Sequence, residues 1–470
     1  MPEYFGDIPF DQVIFHLMAP MEGTDTTLIY DFIDTCLPLP LIVTAVFAIM
    51  FLIQIKFSEQ IKAKQCAILN LILAICSVLS FGIGFNRAAI SINADAYIQS
   101  IMHPSTIYEE YYVDPTTVQY TFPEQKRNLI YIFLESMETT YEDASNGEAL
   151  DHNLIPELTE LQNINLNFGQ ENINNRGFHV LANNGWTVAA MIGQTSGIPL
   201  SIPIDGNSYT SDGNFLNGAR SIGEILEDNG YSNMLMIGSE AEFGGRKQYF
   251  EQHGNYDIID LNEVKHREWL DPDYHVWWGY EDHKLFDYAK EELMNLSNAS
   301  EPFNFTLLTV DTHFTGGYLC DLCRNQWNDQ YSNVISCSSR QVADFVSWIE
   351  QQPFYENTTI VIAGDHLSMD KDWFAPINEN GYDRKGYYTI INPAIEPSST
   401  RSREISTVDL YPTTLASLGV QMDSNRLALG TNLFTDEDTL VETMGFDAMN
   451  TELQKHSNYY DSHILYGLSK

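Results

Sequence analysis

From about residue 127 onward, short apolar runs alternate with segments of helical periodicity. The runs are NLIYIFL (128–134), SNMLMIG (232–238), NFTLLTV (304–310), TTIVIAG (358–364) and GYYTII (386–391). Between them lie helix candidates such as SIGEILEDNG (221–230) and SSRQVADFVSWIEQQ (338–352). Strands alternating with helices predict an α/β domain: a central, mostly parallel sheet flanked by helices. In such sheets ligands bind beyond the carboxyl ends of the strands. The residues that follow each run therefore matter most. They are Glu135, Ser239-Glu240, Asp311-Thr312-His313 and Asp365-His366. Any one of these is a common turn sequence. Together they are the materials of a divalent metal site, hard carboxylate oxygens with imidazole. Glu135 is an unusual residue to stop a strand with. Alternation puts it on the same face as Tyr131 and Phe133. Glu138, three residues later, reads as a solvated neighbour.

Upstream the pattern is different. LPLPLIVTAVFAIMFLIQI (37–55) and AILNLILAICSVLSFGIGF (67–85) contain no charged residue. Each is close to the roughly 20 residues that cross a bilayer, so two transmembrane helices are expected over 37–86. Lys56, Lys62 and Lys64 lie between them, while the stretch before Leu37 is acidic and has neither Lys nor Arg. The positive-inside rule places the short basic loop in the cytoplasm and the rest outside. The first run starts too late, and lacks the basic flank, for a cleaved signal peptide. The expected organisation is an extracytoplasmic segment over 1–36, the membrane helices, a connector over 87–126, a catalytic domain over 127–440 and a C-terminal tail over 441–470.

Composition narrows the function. The 470 residues carry 24 Lys and Arg against 64 Asp and Glu, a formal charge of −40. A nucleic-acid partner needs a basic face and is excluded. The charge is dispersed and 12% of residues are aromatic, which argues against disorder. Cys320, Cys323 and Cys337 fall in the outer domain. There one pair could form a disulfide, and the sequence does not say which. Three thiols without a fourth ligand make a poor zinc site.

The hydroxyl of Thr187 is the candidate nucleophile. It opens the helical stretch in GWTVAAMIGQTSGIPL (185–200). A hydroxyl there sits where free backbone N–H groups and the helix dipole favour a phosphate. Thr is also an ordinary residue at a helix start, so position alone does not decide its role.

IYIFLESME, GWTVAAMIGQTSGIPL, DTHFTGGY, VIAGDH and STVDLYPTTLASLG occur in this order between about residues 128 and 434. Together they resemble the sulfatase-type α/β fold of the alkaline phosphatase superfamily. Within it they look most like lipoteichoic acid synthases and the phosphoglycerol transferases that decorate periplasmic glucans. The resemblance implies that Glu135, Asp365, His366 and Thr187 surround one divalent metal, with manganese favoured and magnesium or zinc possible. It also implies that Thr187 is the nucleophile, and that His313 and Arg246 contact the substrate. The implied donor is the membrane lipid phosphatidylglycerol, and the implied acceptor is a glycan, a glycolipid or polyglycerolphosphate. The implied location is a bacterial cell membrane with the catalytic domain outside.

The chain departs from lipoteichoic acid synthases before Arg246. It has IGSEAEFGGR (237–246), with Gly244 near the expected Trp and no His. Thr187 is followed by Val-Ala-Ala-Met rather than by the x-Pro-x-Arg of sulfate-ester hydrolases, which removes that chemistry. No Gly-rich Lys-Ser/Thr loop supports nucleotide hydrolysis. A phosphodiesterase or phosphoethanolamine transferase of the same superfamily is the alternative reading. An inactive surface-binding module is disfavoured, because every ligand type and the nucleophile are present.

Overall fold

The computed structural model describes residues 38–56, 63–91, 94–146, 149–169, 176–202, 215–399 and 401–468. Its centre is a six-stranded sheet. The strands are β1 (Asn128–Leu134), β2 (Ser232–Ile237), β3 (Asp257–Ile259), β4 (Phe303–Leu308), β5 (Thr358–Gly364) and β6 (Tyr388–Ile391). Their order is β3-β2-β4-β1-β5-β6. All neighbours are parallel except the β5–β6 pair at one edge. The five apolar runs all became strands. The short edge strand β3 escaped notice because its Asp-Ile-Ile core is too brief to show a pattern.

Both faces of the sheet are covered, which is why its strands read as continuous apolar runs rather than alternating ones. Leu129, Tyr131 and Phe133 face one core. There they meet α3 (Thr187–Ser196) through Val188, Ala189, Met191 and Ile192. Ile130, Ile132 and Leu134 face the other core. It is built with α5 (Asp282–Ser297) and α6 (Gln330–Glu350), through Leu285, Phe286, Ala289, Ile335, Val342 and Phe345. A short helix, α4 (Arg246–Gln252), follows β2. A small antiparallel ladder pairs Tyr120–Thr121 with Gln421–Met422. It fastens the segment before β1 to the far end of the domain. Beyond residue 440 the chain packs back through Met449, Leu453, Tyr460, Ile464 and Leu465.

Register carries the site. Leu134 of β1 aligns with Gly364 of β5, so Glu135 and Asp365, each one residue later, emerge side by side. Phe133 aligns with Leu308 of β4. That brings the Thr309 hydroxyl to the Glu135 amide, which donates to it at 2.9 Å.

Upstream, α1 (Pro38–Lys56) and α2 (Ala63–Ser91) are both helical. Two crossings were expected. Among the described residues one window, Asn70–Arg87, is long and apolar enough to cross a membrane, and none of it is buried. The apolar part of α1, Pro40–Ile53, is shorter than the roughly 20 residues a crossing needs. The expected N-terminal segment, Leu37 and Lys62 of the basic loop lie outside the described residues. The expected disulfide is also corrected: Cys320, Cys323 and Cys337 are all free thiols.

Candidate active site

Glu135, Asp365 and His366 are brought together. One ligand atom from each lies within 4.8 Å of the others, and all three residues are buried. His366 Nε2 is 3.6 Å from Glu135 Oε1 and 3.4 Å from Asp365 Oδ2. Thr187 opens α3 beside them. Its Oγ1 is 3.4 Å from Glu135 Oε2 and 3.5 Å from His366 Nε2.

Backbone and side-chain hydrogen bonds aim each group. Asp365 Oδ1 accepts from the amides of Ser136 and His366 at 2.8 and 2.7 Å. Ser136 takes a left-handed φ of 54° and donates its hydroxyl to Glu135 Oε1 at 2.8 Å. His366 Nδ1 lies 2.8 Å from the Leu367 carbonyl. A carbonyl only accepts, so Nδ1 carries a proton, and Nε2 is the nitrogen that faces the carboxylates and can offer its lone pair to a cation. Asp365 Oδ2 is buried and accepts no hydrogen bond. Burying an acceptor without a partner is costly, and a cation would remove that cost. Two carboxylates, an imidazole nitrogen facing inward and an orphaned oxygen therefore fit one divalent metal.

Electrostatics agree with this reading. Burial works against a charge on Glu135, yet His313 and His366 hold its carboxyl below the ordinary value. Asp365 is pushed up to about 7, first by burial and then by Glu135. Burial opposes a charge on His366, but Asp365 and Glu135 outweigh it and raise the imidazole. Two carboxylates and a buried histidine competing for too few protons are a common mark of a functional site.

His313 and Arg246 lie close by. His313 Nδ1 is 2.8 Å from the Phe314 carbonyl, the same arrangement as in His366. Burial holds its pKa down, against the pull of Glu135. Arg246 is buried and lowered to about 10, mainly by burial, with Glu135, Asp260 and Asp365 offsetting part of the effect. One arm donates to Ser239 Oγ and the Glu240 carbonyl at 3.1 and 2.7 Å. Its Nε is buried and donates no hydrogen bond. An aromatic group from another segment lies beside His313 and Arg246. Trp278 lies 4.5 Å from the His313 ring and 5.3 Å from Phe243, whose ring sits under the Arg246 guanidinium.

Not every strand-end residue joins the cluster. Asp311 is buried beside Asp282, which accepts from the Val310 and Asp311 amides. Glu240 takes part through its carbonyl, as described above. Glu138 is not a solvated neighbour. It is fully buried and accepts from Arg384 Nε and Nη2 at 2.8 and 2.5 Å, and from the Ser368 amide at 3.0 Å. The acid lies under the loop that carries Asp365 and His366. Only the fold puts Arg384, 246 residues downstream, beside it. Gln194, which drew no notice in the sequence, clamps α3 to β5. It donates to the Gly364 and Asp365 carbonyls at 2.9 and 3.2 Å and accepts from Tyr131 OH at 2.9 Å.

A family model described as Sulfatase matches residues 127–420. The chain belongs to the sulfatase family. Within that family it is similar to phosphoglycerol transferase I of Escherichia coli strain 55989 / EAEC. The two are 31% identical over 329 residues, covering 69% of this chain and 40% of the relative. The protein of the same name in Salmonella choleraesuis strain SC-B67 is 31% identical over 328 residues, covering 68% and 40%. The chain thus spans about two fifths of the length of these curated relatives. Among solved structures, the lipoteichoic acid synthase LtaP from Listeria monocytogenes superposes with a TM-score of 0.51 at 18% identity, covering 68% of this chain and 79% of that one. That likeness is one of fold. The sulfatase-family match and the phosphoglycerol transferase relatives agree with the resemblance read from the five motifs.

Proposed function

We propose that this sulfatase-family chain is a membrane-anchored phosphotransferase. It moves glycerol phosphate from phosphatidylglycerol to a glycan or polyglycerolphosphate acceptor through an intermediate on Thr187. The observation that carries the reading is the Thr187 hydroxyl at a helix start, within 3.5 Å of Glu135 and His366. Phosphoglycerol transferase relatives at 31% identity support the choice of transferred group.

Glu135, Asp365 and His366 would hold one divalent metal, manganese first and magnesium or zinc next, supplying Lewis acidity and a lowered pKa for a neighbouring hydroxyl. Thr187 Oγ attacks the phosphorus of the diester. The bond from phosphorus to the diacylglycerol oxygen breaks, and that oxygen takes up the proton lost from Thr187. Glycerophosphoryl-threonine and diacylglycerol result. An acceptor hydroxyl then attacks phosphorus, and the bond to Thr187 Oγ breaks. His313, kept neutral by burial and with Nδ1 tied to Phe314, takes the acceptor's proton at Nε2 and passes it to the departing Thr187 oxygen. Arg246 remains cationic at neutral pH and turns its unpaired Nε–H toward a phosphoryl oxygen. The N-terminal N–H groups of α3 act on the same charge. Splitting the transfer lets one site serve donor and acceptor in turn.

In this reading α2 crosses the membrane and anchors the chain, with the basic residues before it, Lys56 and Lys64, on the cytoplasmic side. Tethering keeps the site at the surface where its lipid donor resides.

The test uses the full chain in vesicles of phosphatidylglycerol labelled in the headgroup, with manganese. Mass spectrometry of the Thr187 peptide should find a glycerophosphoryl adduct, and label should accumulate on an added glycan. The Thr187→Ala chain should give neither. Turnover by Thr187→Ala would overturn the mechanism. Label released only as free glycerol phosphate would identify a phosphodiesterase instead.

A further inference from the structure

The cysteine trio lies beside a histidine from a distant segment, which the sequence does not reveal. Cys320 and Cys323 lie in the loop after β4, and Cys337 lies on α6. Cys320 Sγ is 3.5 Å from Cys323 Sγ and 4.0 Å from Cys337 Sγ. All three sulfurs lie within 4.8 Å of one another. These spacings are far beyond the roughly 2.05 Å of a disulfide bond. They bracket the sulfur–sulfur edge of a zinc tetrahedron, about 3.8 Å for Zn–S bonds of ~2.3 Å. The Cys323 amide donates to the Cys320 carbonyl at 3.0 Å, folding the C-x-x-C stretch into a tight turn.

His283 comes from the first turn of α5. Its Nδ1 is buried and has no hydrogen-bond partner. The His283 imidazole and the Leu322 amide both lie within hydrogen-bonding reach of the Cys320 thiol. Gln341, one turn beyond Cys337 on α6, directs its Nε2–H group toward both Cys337 Sγ at 3.5 Å and Cys320 Sγ at 3.8 Å. Amide N–H groups aimed at sulfur favour thiolates and are the usual outer support of a metal–sulfur centre.

We propose that Cys320, Cys323, Cys337 and His283 bind a structural zinc ion, separate from the site around Thr187. Four protein ligands leave no open position, which is the mark of a structural rather than a catalytic zinc. The ion would join three segments: the loop 309–329, α6 and the start of α5. That loop carries His313, and its root is already held at the start of α5 by Asp282, which accepts from the Val310 and Asp311 amides at 2.7 and 3.2 Å. Zinc would fasten the far side of the same loop. A disulfide would join only two of the three thiols. The third would be left within 4.8 Å of it, and His283 Nδ1 would stay without a partner.

The experiment uses the purified full chain in detergent, in a Glu135→Gln/Asp365→Asn background so that metal at the other site does not count. Zinc is measured by plasma mass spectrometry, and free thiols are counted after denaturation with chelator. About one zinc and three outer-domain thiols are expected. Exchange with cobalt should give the intense visible bands and sulfur-to-metal charge transfer of a tetrahedral thiolate site, which oxygen ligands do not produce. Cys323→Ser should lose the zinc and the charge-transfer band. His283→Ala, which keeps all three sulfurs, should retain charge transfer but shift the visible bands and bind zinc more weakly. A chain with no zinc and one free thiol of the three would overturn the proposal in favour of a disulfide. A cobalt spectrum untouched by His283→Ala would remove His283 from the ligand set.

Discussion

Glu138→Ala tests whether the buried acid beneath the Asp365-His366 loop is structural. The substitution removes both oxygens that hold the Arg384 guanidinium, at 2.8 and 2.5 Å. It also removes the acceptors of the Thr140 hydroxyl at 2.5 Å and the Ser368 amide at 3.0 Å. Arg384 keeps one bond, to the Ser368 carbonyl at 2.8 Å, and only 14% of its side chain is exposed. Leaving a buried charge without its partner costs roughly 3–5 kcal/mol. The partial exposure and the surviving bond place this case at the lower end, about 3 kcal/mol. For a domain of this size that is a drop in melting temperature of roughly 4–5 °C. The assay is a double-mutant cycle by thermal and denaturant unfolding, with Glu138→Ala, Arg384→Ala and the pair. The pair should recover part of the loss, because no unpaired cation remains. Metal affinity should fall in Glu138→Ala as well, since Ser368 stands two residues after His366. A Glu138→Ala chain within about 0.5 kcal/mol of the parent would behave like a surface substitution. That result would refute the reasoning.

Two further outcomes follow from the same geometry. Gln194→Leu strands Tyr131 OH and the Gly364 and Asp365 carbonyls, and should lower stability by about 2–4 kcal/mol. By loosening α3 against β5 it should also reduce kcat by roughly 10–100-fold, read from steady-state kinetics at saturating metal; an unchanged kcat would show that the clamp does not position Thr187. The pH dependence of metal binding is set by Asp365, an acid raised to about 7 in the metal-free fold. Its ionised form is the unfavourable one, so the metal-free protein loses stability as pH rises from near 4 through about 7. Metal needs Asp365 ionised and His366, which is also raised, free of its second proton, so its affinity should weaken at least tenfold per pH unit below 7, and metal-induced thermal stabilisation should grow with pH. Titration calorimetry between about pH 5 and pH 8 checks this, and a flat affinity would contradict it.

The chain's pattern alone determined the α/β class, the five longer strands and the residues at their ends. Strands buried on both faces must be apolar throughout, so a carboxylate at the end of such a run stands out. Glu135, Asp365 and His366 were legible for that reason, whereas Thr187 stood out only through its place at a helix start and the family resemblance. Their meeting within a few ångströms was decided by register, Leu134 against Gly364, which pattern does not encode. The sequence misled where burial depends on distant partners. Glu138 reads as solvated because carboxylates usually are, and Arg384 changes that only once the fold places it alongside. The same holds for the aromatic beside His313. Trp278 stands there because loops from different strands converge on one edge of the sheet. Three cysteines suggested a disulfide because no fourth ligand is near them in the chain. The packing of α5 against the loop after β4 brings His283 beside Cys320. Local pattern fixes what each segment is, because periodicity and burial act over a few residues. Which side chains share a site is a matter of tertiary contact, and there the structure alone decided.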